Sequence, residues 1–209
     1  YKQGAFYGDQ IQALLGLIKT RNFETGDGKI KKVDIMNPYQ LMLKEKIHLD
    51  KPMKAVIDCG NAAGCLTAPQ IFNEVGIETT ELFCDVDGTF PNHHPDPTED
   101  HNLLDLVAEI KSGNYDFGVA DDGDADRLVA VDETGGIIRS DILMVLFLPE
   151  GIKNPGDTIV YDVKCSQALE DMILKYGGKP VMWKTGHSLI KDKMKELNVN
   201  FAGEMSGHI

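Results

Sequence analysis

From about Val33 onward, the apolar positions of this chain switch repeatedly between two spacings. Short runs of β-branched and aromatic residues alternate with stretches in which apolar residues return every three or four positions, as on one face of a helix. The short runs predict strands at residues 54–59, 79–83, 117–120, 128–131, 158–163, 180–184 and 199–202. The longer spacing predicts helices at 10–19, 38–47, 66–75, 103–111, 141–147, 167–176 and 189–197. Strands separated by helices build parallel sheets, because a parallel neighbour needs a long crossover connection. The fold expected is therefore α/β, with two consecutive three-layer αβα lobes and mixed, largely parallel sheets.

The β-α-β series run from residue 53 to about 131 and from 156 to the end, with the turn formers Pro149, Gly151, Pro155 and Gly156 between them. A boundary placed at 134–136 divides the chain into 1–33, the tail of a preceding domain, then 34–136 and 137–209. The chain starts at Tyr1 rather than Met and stops at Ile209 just after a glycine-containing turn, so both ends are expected to be cuts through a longer protein.

Charge narrows the partners. With 21 Lys plus Arg against 33 Asp plus Glu the 209 residues carry a formal −12, and Arg21, Arg127 and Arg139 are the only arginines. Nucleic acid is an unsuitable partner for such a surface, since phosphate backbones are gripped by clustered cations. No apolar run approaches the roughly 18 residues of a membrane span, and no signal segment precedes the first helix, so no membrane partner is expected. Cys59, Cys65, Cys84 and Cys165 form no C-x-x-C pair and read as reduced thiols, which points to the cytoplasm.

The sharpest chemical feature is Asp122-Gly-Asp-Ala-Asp-Arg127 between two predicted strands. Carboxylates at alternate positions of an extended loop can converge on one hard cation. An EF-hand would also place acids at its first, third, fifth and twelfth positions, here Asp122, Asp124, Asp126 and Glu133. It needs glycine at the sixth position and helices on both flanks, whereas Arg127 and strands are found. An acidic surface turn is the plain alternative. A Mg²⁺ site beside an arginine favours phosphoryl chemistry, because Mg²⁺ keeps positions open for phosphate oxygens and the guanidinium matches them. None of the five serines sits in a nucleophile motif. His93 and His94 lie in Phe90-Pro-Asn-His-His-Pro-Asp-Pro97, which reads as a rigid structural loop, and Gly60-Asn-Ala-Ala-Gly64 reads as tight strand-to-helix packing.

These motifs carry a resemblance. Asp122–Arg127 is similar to the metal loop of the α-D-phosphohexomutase superfamily, and Gly203-Glu-Met-Ser-Gly-His208 resembles its sugar-binding loop in the phosphomannomutase/phosphoglucomutase branch. Phe90–Pro97, Asp162-Val-Lys-Cys165 and Trp183-Lys-Thr-Gly-His-Ser-Leu-Ile-Lys191 match as well and in the same order. The resemblance implies an isomerase that interconverts mannose or glucose 1- and 6-phosphates through a phosphoserine and a hexose 1,6-bisphosphate. The chain would hold the end of domain 1, which carries the catalytic serine, then metal-binding domain 2 and most of sugar-binding domain 3. Lacking that serine it would be inactive alone, with the other domains of its parent as partners. A noncatalytic carbohydrate- or phosphate-binding module is the alternative.

Carried over residue by residue, the resemblance makes Asp122, Asp124 and Asp126 the Mg²⁺ ligands and Arg127 the phosphoryl clamp. Glu204 and Ser206 would bind sugar hydroxyls, and His208 would both touch substrate and move a proton. Lys164 and His187 would face the ligand from just beyond two strands, and Lys2 would act near the phosphoserine. Asp121, where relatives often carry Phe, has no role in this scheme, and Ala125 stands where Gly is common.

Overall fold

The computed structural model describes residues 5–209. Helices α1 (Asp9–Thr20) and α2 (Met36–Lys46) precede strand β1 (Met53–Asp58), helix α3 (Ala68–Glu74), β2 (Ile77–Leu82), α4 (Leu104–Ser112), β3 (Phe117–Asp121), β4 (Leu128–Asp132) and β5 (Ile137–Ile138). Helix α5 (Ser140–Gly151), β6 (Thr158–Asp162), α6 (Gln167–Lys175), β7 (Lys179–Trp183), α7 (His187–Leu197) and β8 (Ala202–Gly203) follow.

The first sheet has the order β2-β1-β3-β4-β5, and β1 runs parallel to both of its neighbours. A central parallel strand is covered on both faces and so must be apolar throughout. Ala55, Val56 and Ile57 are accordingly buried without interruption. Val56 and Ala120 pack with Leu106 and Ile110 of α4 on one face, while Ile57 and Val119 meet Ala68 and Phe72 of α3 on the other. In the second sheet, β7-β6-β8, all pairs are parallel. Ile159 and Tyr161 of β6 face α5 and α6, and Val160 faces Ile190 of α7. Each lobe is thus three layers deep. Among the described residues no helix is long and apolar enough to cross a membrane.

Three elements differ from the sequence reading. Ile137–Ile138 pairs antiparallel with β4, so the first sheet continues past Gly136. The connecting turn is closed by Asp132, whose Oδ1 accepts N–H groups of Thr134 and Gly136. Helix α5 runs through Pro149 to Gly151 instead of stopping at Phe147. A proline in a final turn removes one backbone bond, and the fully buried Met144 and Leu148 anchor that turn. Residues 199–201 are not strand. Asn198 adopts a left-handed conformation, and Val199 donates back to the Met194 carbonyl, so the chain is spent on capping α7 before β8 begins.

Leu106 has no exposed surface, and its Cδ1 lies 2.9 Å from where a Cβ on Gly118 would stand. Leu106→Ala should cost about 2–5 kcal/mol, read as a lowered urea midpoint with unchanged slope. A loss under about 1 kcal/mol would contradict close packing of the α4 layer against β3.

Candidate functional site

Antiparallel pairing of Asp121 with Leu128 makes residues 122–127 the hairpin loop between β3 and β4. The side chain of Asp122 is the core of that loop. It is fully buried, its Oδ1 accepts the N–H groups of Asp126 and Arg127 at 3.1 Å each, and its Oδ2 accepts Nε–H of Arg127 at 2.6 Å. Asp124 and Asp126 are exposed, yet one carboxylate oxygen from each of the three aspartates lies within 4.8 Å of the others. An all-oxygen donor set at this separation fits a hard divalent cation. Arg127 spends only Nε on the loop, and among the described residues its terminal amino groups have no partner. Asp121 lies beneath the loop, where burial, then the charges of Asp122 and Asp58, push its carboxyl up to about 6.

The second loop follows β8. Glu204 is buried at 1% exposure, accepting the Gly186 N–H at the start of α7 on Oε1. Its Oε2 lies 3.2 Å from Nδ1 of His208, which is also 3.0 Å from the Ser206 hydroxyl. The other ring nitrogen, Nε2, lies 3.1 Å from Oδ2 of Asp126, so one histidine joins the two loops. The His187 ring stacks on it at 5.1 Å between centroids and 20° between planes. Gly207 makes this approach possible. Its φ is +107°, and a Cβ there would stand 3.0 Å from the backbone N and O of Leu128, whose N–H donates to the Gly207 carbonyl.

The loops close over a cleft of about 1330 Å³ whose wall includes Asp126, Arg127, His187, Glu204 and His208. Asp122, Asp124 and Ser206 do not line it, but Asp122 is bound to Arg127, Ser206 contacts His208, and Asp124 precedes the lining residue Ala125. Lys164 is exposed and its backbone N–H donates to Asp162, but its side chain is not part of the wall. Lys2 lies outside the described residues.

Two organising residues had no role in the sequence reading, although Asp162 opens one of its motifs. Asp58 and Asp162 end the interior strands β1 and β6, and both are fully buried. Asp162 accepts from Lys164 N–H, Cys165 Sγ–H, Thr185 Oγ1–H and Met205 N–H, which ties the sugar-type loop to its strand. Asp58 accepts from Gly60 N–H and meets His93, although burial still holds its carboxyl above the ordinary range. The available signal was a lone acid terminating an apolar strand, Ala-Val-Ile-Asp58 and Ile-Val-Tyr-Asp162.

Ala125 has φ +59° in the middle of the aspartate loop, a conformation that strains an L side chain. Ala→Gly ordinarily costs roughly 0.5–1 kcal/mol in regular structure. Ala125→Gly should instead be neutral or stabilising by up to about 1 kcal/mol, measured by reversible thermal unfolding without added metal. A clear fall in stability would contradict the strain.

Residues 30–136 match the family described as phosphoglucomutase/phosphomannomutase, alpha/beta/alpha domain II, and residues 139–209 match its domain III. A phosphomannomutase/phosphoglucomutase of Pseudomonas aeruginosa is 49% identical over 202 residues, spanning 96% of this chain and 44% of that protein. A phosphoglucomutase of Neisseria meningitidis serogroup A is 45% identical over 205 residues, spanning 97% and 45%. The crystal structure of a phosphoglucomutase/phosphomannomutase family protein from Burkholderia thailandensis superposes with a TM-score of 0.93 at 46% identity, covering 96% of this chain and 44% of that one. The chain therefore spans under half the length of these relatives. Across that span, fold, motif order and sequence agree, and the chain belongs to the phosphoglucomutase/phosphomannomutase family.

Proposed function

We propose that this chain supplies the metal loop and the sugar loop of a phosphohexomutase, which interconverts hexose 1- and 6-phosphates of mannose and glucose. The reaction would run through a phosphoserine and a hexose 1,6-bisphosphate. The observation that carries this reading is the Asp126–His208 contact, which brings a cation-type carboxylate cluster and a polar recognition loop together at one cleft. Four free thiols suit a reducing cytoplasm.

In this reading Asp122, Asp124 and Asp126 hold Mg²⁺, with Asp122 also bracing the loop through Arg127. Mg²⁺ when bound would offset the carboxylate charge and polarise a phosphoryl oxygen. Arg127 presents its free amino groups to a phosphoryl group, where a planar fork suits paired oxygens. Glu204 and Ser206 orient the ring, and Glu204 sets the direction of His208. His208 accepts or returns a hydroxyl proton at Nε2, a nitrogen that Asp126 and the wall of the cleft both border. His187 buttresses that ring by stacking, and Lys164, exposed beyond β6 and off the wall, adds only longer-range positive charge.

The reading is tested on the intact protein by following hexose 1- and 6-phosphate resonances by ³¹P NMR with and without Mg²⁺. Cation-dependent interconversion is expected. Sugar-phosphate binding with no turnover would replace the enzyme by a binding module.

Asp124→Asn should weaken Mg²⁺ activation by at least about tenfold, because a neutral amide is a poorer ligand for a hard cation. An unchanged Mg²⁺ dependence would move the cation elsewhere. Glu204→Ala should lower kcat/KM for both hexose phosphates by about ten- to a hundredfold, in line with the roughly 1.5–3 kcal/mol of a hydrogen bond to a charged group. Mg²⁺ affinity should stay as it was. Normal kinetics in that variant would remove Glu204 from the site.

A further inference from the structure

Four of the six non-glycine residues with positive φ among the described residues gather at one rim of the first sheet: Asn61 at 58°, Phe83 at 52°, Phe90 at 50° and Ala125 at 59°. The other two, Arg21 and Asn198, cap helices α1 and α7. Backbone held this way persists only where its surroundings over-determine it. The surroundings are a network of interlocking turns. Asn61 donates its N–H to the Phe83 carbonyl and its Nδ2–H to the Asp85 carbonyl, and it accepts Nδ2–H of Asn92 on Oδ1 at 2.7 Å.

His93 lies at the centre. Its Nε2 lies 3.1 and 3.2 Å from the two oxygens of buried Asp58, and its Nδ1 lies 3.0 Å from the His94 carbonyl. A carbonyl only accepts, so Nδ1 carries a hydrogen, and the ring is fixed at both ends. Phe83 closes its edge at 5.3 Å between centroids. With the ring fixed, Pro95 is pressed into the turn after β1, where its Cβ lies 3.0 Å from a would-be Cβ on Gly60, itself at φ +52°. From there the segment reaches the aspartate loop. Pro95 Cγ lies 3.7 Å from the Cβ position of Gly123, Ala63 of the same turn donates its N–H to the Gly123 carbonyl, and the charge of Arg127 bears on Asp96.

We infer that His93, held by Asp58, is a positioning residue for the cation loop, setting through Pro95 and the Gly60–Gly64 turn the spacing of Asp122, Asp124 and Asp126. The inference rests on the metal reading of that loop. The physical reason is preorganisation: two of the three carboxylates are exposed and mutually repulsive, so their spacing must come from packing behind them.

The test measures Mn²⁺ affinity of the intact protein by electron paramagnetic resonance of free Mn²⁺, alongside thermal unfolding. His93→Ala should weaken Mn²⁺ binding of the folded protein about tenfold, as loss of outer support around a metal site does. His93→Gln, whose amide can still donate to Asp58, should restore most of the affinity. If His93→Ala does not fold, Pro95→Ala reads the same linkage without stranding a buried charge and should also weaken Mn²⁺ binding. A purely structural His93 would lower the melting temperature and leave Mn²⁺ affinity at the wild-type value in these variants, and that result would overturn the proposal. Asp124→Asn is the control. If it too binds Mn²⁺ normally, the metal reading itself has failed; if it binds weakly while the His93 and Pro95 variants bind normally, only the positioning role has failed.

Discussion

A buried carboxylate ends an interior parallel strand of each lobe, and the need to satisfy it shapes the loops around the cleft. Removing a carboxylate from water costs several kcal/mol, on the order of what a whole domain retains as net stability, unless donors replace the lost hydration. Asp58 and Asp162 have no exposed surface, so their donors must come from the loops that pass over the strand ends. In the second lobe these include Thr185 before α7 and Met205 in the sugar-type loop. In the first lobe they include Gly60 and His93. A loop that must deliver a donor to a fixed point on a rigid strand has little freedom elsewhere, and the groups along the cleft inherit that rigidity.

The join between the lobes is built on weaker terms. Leu128 N–H to the Gly207 carbonyl and Asp126 to His208 link the aspartate hairpin to the loop after β8, and His208 is stacked in turn on His187 of its own lobe. Asp126 and His208 are both partly exposed, so solvent screens their attraction and the pair contributes little to stability. Strong anchoring behind each loop and weak contact between them leave the geometry within each lobe firmer than the join between them. The buried interactions hold geometry within a lobe, whereas those at the cleft are weak enough to be exchanged.

Much of this was legible from residue order. Interior strands β1 and β6 are continuous apolar runs because helices cover both faces, and the register that buries them is a property of the run itself. The position of the aspartate loop was legible because the acids alternate between two apolar runs that pair as β3 and β4. Strand β5 was not, since two isoleucines make a strand only when β4 offers an edge. The same holds for α5 beyond Pro149, where burial of Leu148 outweighs a broken bond, and for residues 199–201, which a helix cap claims before a sheet can.

The layered α/β architecture, the order of its elements and the polar residues of the two loops could be read from residue order, because periodicity and residue type are local properties. It took the packed sheets to bring His208 to Asp126 across 82 residues of chain, His93 to Asp58 across 35, and Glu204 to both Gly186 and His208. These depend on distances between strand ends and on which groups lose their water. Such quantities exist only once sheets have packed, and no spacing along the chain encodes them directly.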